Sequence, residues 1–165
     1  MEVDEEEKKE AMPVQKAFPK KRQNLGINVI ISQSEVSRVY AWGDNRNNQL
    51  GIRTEQEIMT RPALFKQPLS IAKIECGADH TLCLTKEGRV YYWGQYYLNS
   101  KKGEKSKFGS TKEPRLMQSL LDHVIIDIAC GTGHNLALSE TKKMYTWGTG
   151  CLGELGIGPD NLGNF

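Results

Sequence analysis

The stretch Met144-Tyr-Thr-Trp-Gly-Thr-Gly-Cys-Leu-Gly-Glu-Leu-Gly-Ile-Gly158 admits two incompatible readings. Gly148, Gly150 and Gly153 satisfy G-x-G-x-x-G behind a plausible strand, the entrance to a dinucleotide-binding unit. The same glycines suit a turn between two β-strands, where positive φ favours glycine. One reading predicts a cofactor enzyme and the other a binding surface.

A dinucleotide unit needs a helix N-terminus to hold the pyrophosphate and an acid about 20 residues further on for the ribose. Here Glu154-Leu-Gly-Ile-Gly-Pro-Asp-Asn-Leu-Gly163 follows, a run no helix tolerates, and the sequence given continues for 12 residues after Gly153. Repetition favours the turn. Arg38-Val-Tyr-Ala-Trp-Gly43, Arg89-Val-Tyr-Tyr-Trp-Gly94 and Lys143-Met-Tyr-Thr-Trp-Gly148 match, with tryptophans 51 and 54 residues apart. In step with them run Ile74-Glu-Cys-Gly-Ala-Asp-His-Thr-Leu-Cys-Leu-Thr85 and Ile128-Ala-Cys-Gly-Thr-Gly-His-Asn-Leu-Ala-Leu-Ser139. Self-similarity at such a period marks one supersecondary block per repeat.

Within each unit the period is that of strands. Leu82 and Leu84, or Leu136 and Leu138, share one face, and hairpins are predicted at Lys86-Glu-Gly88 and Glu140-Thr-Lys142. The Tyr- and Trp-bearing segment is the next strand. Ile71–Cys76 or Val124–Cys130 precedes the histidine, and the segments holding Pro62 and Pro114 supply an outer strand, where proline needs no ladder partner. Four short strands per unit without a helix of normal length is the signature of a β-propeller blade.

The pattern I-x-C-G-x-x-H-T/N-L-x-L-T/S, x-V/M-Y-x-W-G, G-Q/E-L-G resembles the regulator of chromosome condensation repeat, the unit of a seven-bladed propeller. The resemblance covers residues 24–165 and implies an all-β fold, an open arc of about three blades with units 38–88, 89–142 and a truncated 143–165. Three departures from the pattern stand out. Asn28–Ser37 takes the place of the histidine strand and hairpin without Cys-Gly or His; Gln95–Gly109 replaces the Asn48-Gln-Leu-Gly51 turn; and the third unit is incomplete at Phe165. A closed ring needs further blades or a partner chain to cover the open edges, so the chain is expected to be a piece of a longer protein or an arc completed by a partner.

Trp42, Trp93, Trp147, Cys76 and Cys130 are expected in the core. The two C-x3-H pairs, Cys76/His80 and Cys130/His134, have zinc-ligand residue types but lie in parallel units instead of converging, so no metal or other cofactor is expected. No Ser-His-Asp or Cys-His arrangement is placed for nucleophilic catalysis, and the chain is read as non-enzymatic. The family resemblance offers a further role. In the family's nuclear exchange factor these turns engage the small GTPase Ran, and the matching positions are Asp79, His80 and His134, set against a structural role in their own turns.

The insertion carries Lys101, Lys102, Lys105, Lys107 and Lys112 beside Tyr96, Tyr97 and Phe108, the pattern of a solvated loop or of a phosphate- or partner-binding one. Residues 1–23 hold six acids and six bases with few apolar residues, a charged tail that cannot offset its ordering entropy; within it Lys20, Lys21 and Arg22 resemble a nuclear-import signal. A net charge of +2 excludes a nucleic-acid partner held by overall field, and no apolar run approaches the roughly 20 residues of a membrane span. Cys76, Cys83, Cys130 and Cys151 form no C-x-x-C pair, which with the acidic start suggests a reducing compartment, cytoplasmic or nuclear. The expected function is a protein-interaction scaffold, with nucleotide exchange on a Ran-like GTPase, or membership of a multidomain ubiquitin ligase or kinase, as alternatives.

Overall fold

The computed structural model describes residues 27–31, 38–98, 107–150 and 152–158. They form three antiparallel sheets in chain order. The first joins β1 (Ile27–Ile31), β2 (Val39–Asp44) and β3 (Ile58–Leu64); the second runs β4 (Ile71–Cys76), β5 (His80–Thr85), β6 (Val90–Leu98), β7 (Lys107–Leu116). A 3-10 turn at Gln118–Leu120 leads to the third, β8 (Ile125–Cys130), β9 (His134–Ser139) and β10 (Met144–Gly148). No helix among the described residues is long and apolar enough to cross a membrane. The charged tail with Lys20, Lys21 and Arg22, and the insertion's Lys101, Lys102 and Lys105, lie outside the described residues.

Each sheet is a meander of adjacent hairpins, and the repeats are in register. His80 pairs with Gly94, His134 with Gly148, and Ile27 with Gly43. Ile27 therefore stands where the histidine stands in the other sheets, which gives the first departure from the repeat its structural meaning. At both Trp42 and Trp93 the ladder to the following strand slips by a bulge, closed by Gly43 at φ 113° and Gly94 at φ 87°. The outer strands β3 and β7 carry Pro62 and Pro114, and β3 is largely exposed.

Sequence repeat and structural sheet are out of phase. The repeat 38–88 supplies the last two strands of one sheet and the first two of the next, so a sheet is completed by two successive repeats. The hairpins at Lys86–Gly88 and Glu140–Lys142 that join these halves form as expected, with Gly88 and Lys142 at positive φ.

Packing follows from the alternation of β5, whose six residues are all buried. Cys83 faces the first sheet among Val39, Phe65, Ile71 and Trp93. Leu82 and Leu84 face the third among Val90, Leu120, Ile125, Ile128 and Ala137. In β9 the same alternation is half covered: Asn135, Ala137 and Ser139 are buried against the second sheet, while His134, Leu136 and Leu138 are half-buried. Each fully buried leucine side chain contributes about 1.5–3 kcal/mol, so the two seams between sheets hold most of the described apolar stabilisation.

Candidate functional site

The Gly-x-x-His turns are built by a steric rule. In Gly77–His80 the Gly77 N–H donates to the His80 carbonyl at 2.8 Å, and the imidazole folds back over the glycine. A Cβ on Gly77 would lie 2.1 Å from His80 Cε1; one on Gly131 would lie 2.1 Å from His134 Cε1. Neither glycine is at positive φ, so it is needed for space and not for backbone freedom. The Trp-Gly glycines meet the same turns from the other side: a Cβ on Gly94 would lie 2.5 Å from the Asp79 carbonyl oxygen, and one on Gly148 2.3 Å from that of Gly133. The two turns sit side by side, the Ala78 N–H donating to the Thr132 carbonyl at 3.0 Å.

His80 is 8% exposed and its Nε2 lies 2.6 Å from Asn135 Oδ1 on the neighbouring sheet. Burial holds its pKa below the ordinary value, against the opposing pull of the Asn135 bond and the Asp79 charge. The ring therefore grips the adjacent blade, which differs from a role within its own turn. Asp79 is half-buried and accepts from Asn47 Nδ2 at 3.0 Å, and His134 is half-buried at the open side of the third sheet.

The opening glycines resolve into the turn reading. Gly148 and Gly153 have φ of 108° and 85°, matching Gly43 at 113° and Asn48 at 63°, while Gly156 at 66° matches Gly51 at 64°. The Asn48-Gln-Leu-Gly51 turn does more than reverse the chain. The Gln49 carbonyl accepts from Thr81 Oγ1 at 2.7 Å and from Trp93 Nε1 at 3.0 Å, and Phe65 stacks on the indole with ring centroids 5.1 Å apart. Trp93 is consequently 2% exposed. Trp42 and Trp147 were expected in the core on the same footing but are half-buried, because no corresponding turn lies over either among the described residues.

Cys76 and Cys130 are half-buried instead of fully buried. Their thiols are nonetheless held neutral: desolvation pushes Cys76 up to about 12 and raises Cys130 as well. Cys130 Sγ lies 3.2 Å from Asn135 Oδ1 and 3.6 Å from the Glu75 carbonyl, so it too bridges the seam.

The described ends of the insertion are strands. The β6 and β7 strands continue outward through Gln95↔Ser110, Tyr96↔Gly109, Tyr97↔Phe108 and Leu98↔Lys107. Tyr96 lies edge-on to Tyr92 at 5.4 Å and covers Gly109, where a Cβ would lie 2.5 Å from the ring. The side chains of Tyr97 and Lys107 lie outside the described residues. At the ribbon's base Asn48 Nδ2 donates to Ser110 Oγ at 2.8 Å, and a cleft is lined by Arg53, Thr54, Glu55, Lys112 and Glu113. Its Arg53–Glu113 and Lys112–Glu55 pairs, at 2.6 and 2.9 Å, are largely exposed and each worth about 0–1 kcal/mol.

Asn47, Gln49 and Asn135 were missed in the sequence. The detectable signal was the Gln/Glu-Leu-Gly block recurring at a fixed distance after Trp-Gly.

Successive antiparallel meanders, two of three strands and one of four among the described residues, joined by histidine, tryptophan and turn-carbonyl contacts, define a propeller segment. The family described as "Regulator of chromosome condensation (RCC1) repeat" matches residues 37–84 and 87–138, and the chain belongs to it. The E3 ubiquitin-protein ligase HERC2 of Mus musculus is 32% identical over 125 residues, 72% of this chain and 2% of the ligase. The serine/threonine-protein kinase Nek9 of Xenopus laevis is 35% identical over 91 residues, 55% of this chain and 10% of the kinase. Among solved structures, human WBSCR16 superposes with a TM-score of 0.66 at 22% identity, covering 81% of this chain and 34% of that one. Prp20p from Saccharomyces cerevisiae, described with its binding properties to Gsp1p and histones, gives a TM-score of 0.56 at 27% identity, covering 76% of this chain and 30% of that one. The chain thus spans a small part of the ligase and kinase and about a third of the solved propellers.

Proposed function

We propose that the chain is a non-enzymatic protein-interaction module, a run of propeller blades within a larger protein or assembly. The observation that carries this is a division of labour. The residues that repeat are consumed in the seams: His80 on Asn135, Trp93 on the Gln49 carbonyl, Cys130 against Glu75. The residues that differ between units stand on the turn side, where Asp44 and Arg46 pair with each other and half-buried Asp79 accepts from Asn47 at the rim of the first seam. Divergent surface on a shared frame is the pattern of a recognition scaffold.

A photo-crosslinker placed at Asp79 tests this against the same crosslinker at Ile126, an exposed position in β8. The reading expects a specific adduct from Asp79 alone. Equal labelling from both positions counts against it.

A second reading is favoured by the likeness to Prp20p, described with binding to Gsp1p. It is exchange on a Ran-like GTPase, which would act by stabilising the nucleotide-free partner. Because His80 is committed to the seam, the contacts in this reading fall to Asp79 and His134. Release of labelled GDP from a GTPase panel decides it: no acceleration, or acceleration indifferent to Asp79→Ala, removes the reading.

A further inference from the structure

The two seams are copies of one design, and one copy is incomplete. In the seam between the first and second sheets, Trp93 is enclosed from two sides: Phe65 stacks on it, and the Asn48–Gly51 turn lies over it, giving its indole N–H the Gln49 carbonyl. Gly51 fits tightly, since a Cβ there would lie 2.7 Å from Trp93 Nε1, and its φ of +64° disfavours any side chain.

In the seam between the second and third sheets the floor is the same. The Met117 N–H donates to Val90 as the Phe65 N–H donates to Val39, so Met117 takes the place of Phe65, and it packs with Trp147 on one cluster. Asn135 pairs with Trp147 as Thr81 pairs with Trp93. The cover differs. After Gly94 the chain leaves as the β6–β7 ribbon instead of returning as a turn, and among the described residues no acceptor lies against the Trp147 indole N–H. Ala41, against which Leu50 packs in the covered seam, is matched by Tyr92, packed edge-on with Tyr96. The space a leucine would fill is thus taken, while among the described residues no turn lies over the indole.

We propose that Trp147 marks a docking slot for a turn of a partner protein that presents a main-chain carbonyl two residues ahead of a glycine, with a small residue between. The occupant is defined by the occupied copy of the same slot: the carbonyl replaces that of Gln49, the glycine replaces Gly51, and the small residue respects Tyr92. This deepens the interaction-module reading and rests on it. The two fail separately, because the crosslinking test probes the turn face at Asp79 and the slot is probed with a defined peptide.

The probe is the Asn47–Ile52 peptide carrying Leu50→Ala, titrated into the 15N-labelled full chain, with the three indole N–H signals assigned through Trp→Phe variants. The Trp147 signal is expected to shift saturably. The same peptide with Gly51→Ala should bind about tenfold more weakly, and so should the Leu50→Ala peptide to Trp147→Phe, which keeps an aromatic ring and loses the donor. A thermal melt shows that this variant is folded. The proposal is overturned by an unmoved Trp147 signal, by equal response to the Gly51→Ala peptide, or by a shift confined to Trp42. A Trp147 shift that tracks the concentration of the chain itself overturns the partner assignment in favour of a second copy.

Discussion

Replacing Gly77 by alanine is the sharpest test of how the seams are held. The new Cβ would lie 2.1, 2.4 and 2.8 Å from Cε1, Nδ1 and Nε2 of His80, so the ring must leave its place. Leaving breaks the 2.6 Å contact to Asn135 inside a buried seam. Stranding a buried polar partner costs about 1–3 kcal/mol, and a ring driven off its rotamer adds about 0.5–1.5. The expected loss is about 2–4 kcal/mol, read as a fall of roughly 1–2 M in the urea midpoint at unchanged slope. Gly131→Ala is the internal control. Its Cβ would meet the His134 ring at the same 2.1 Å, but that ring is half-buried at the open side of the third sheet and has room to swing away. Its cost should stay below about 1 kcal/mol. In an Asn135→Ala background Gly77→Ala should cost about 1–2 kcal/mol less, since the contact is already gone. Equal costs for the two glycines, or a Gly77→Ala midpoint within error of the parent, would refute the seam argument.

Tryptophan truncation should follow the cover and not the sequence position: Trp93→Ala costs about 3–5 kcal/mol, and half-buried Trp147→Ala less than half of that, by the same urea titration. Acid should loosen the seam at His80. Its folded pKa is depressed from 6.5, mainly by burial, so the unfolded chain binds the proton more readily and stability rises with pH through that window. The contribution is complete above about pH 6.5 and lost as pH falls through the depressed value; a His80→Gln chain should show a flatter thermal midpoint between pH 7 and pH 5.

The strands were legible because their signals are periodic. Leu82/Leu84 and Leu136/Leu138 set the faces, Trp-Gly set the bulge, and Pro62 and Pro114 set the edges. The half-unit offset between repeat and sheet was not legible, since similarity fixes the period and not where a sheet begins. Gln49 escaped notice for a chemical reason: it acts through its carbonyl, which any residue carries, as Glu154 at the matching position shows. Asn135 was hidden because its counterpart Thr81 also bonds back to the preceding sheet but to a turn carbonyl, where Asn135 meets a histidine ring. The outward extension of β6 and β7 was not legible because Gln95-Tyr-Tyr-Leu98 shows no polar-apolar alternation and the neighbouring lysines drew more weight. Trp147 looked equivalent to Trp93 because burial there depends on a turn 44 residues earlier, and nothing in Met144–Gly148 records its replacement.

The two seams also explain how a repeat tolerates losing half its signature. The first sheet has Ile27 where the histidine belongs, so it cannot reach across to the second through an imidazole. That seam is held by the Gln49 carbonyl, the Asn47–Asp79 bond and two ion pairs. The second sheet lacks the Gln-Leu-Gly turn, and its seam to the third is held by His80 on Asn135, Ala78 on Thr132, Cys130 on Glu75, and Lys73 on Asp127 at 2.6 Å. The first and second sheets each keep one of the two grips and spare the other. The spared position is then free of that duty: at the first sheet it has become aliphatic, and at the second β6 and β7 extend outward, with no turn over Trp147 among the described residues. In this chain the departures from the repeat thus fall where a neighbouring grip already secures the seam, which is also where a surface can change to suit a partner.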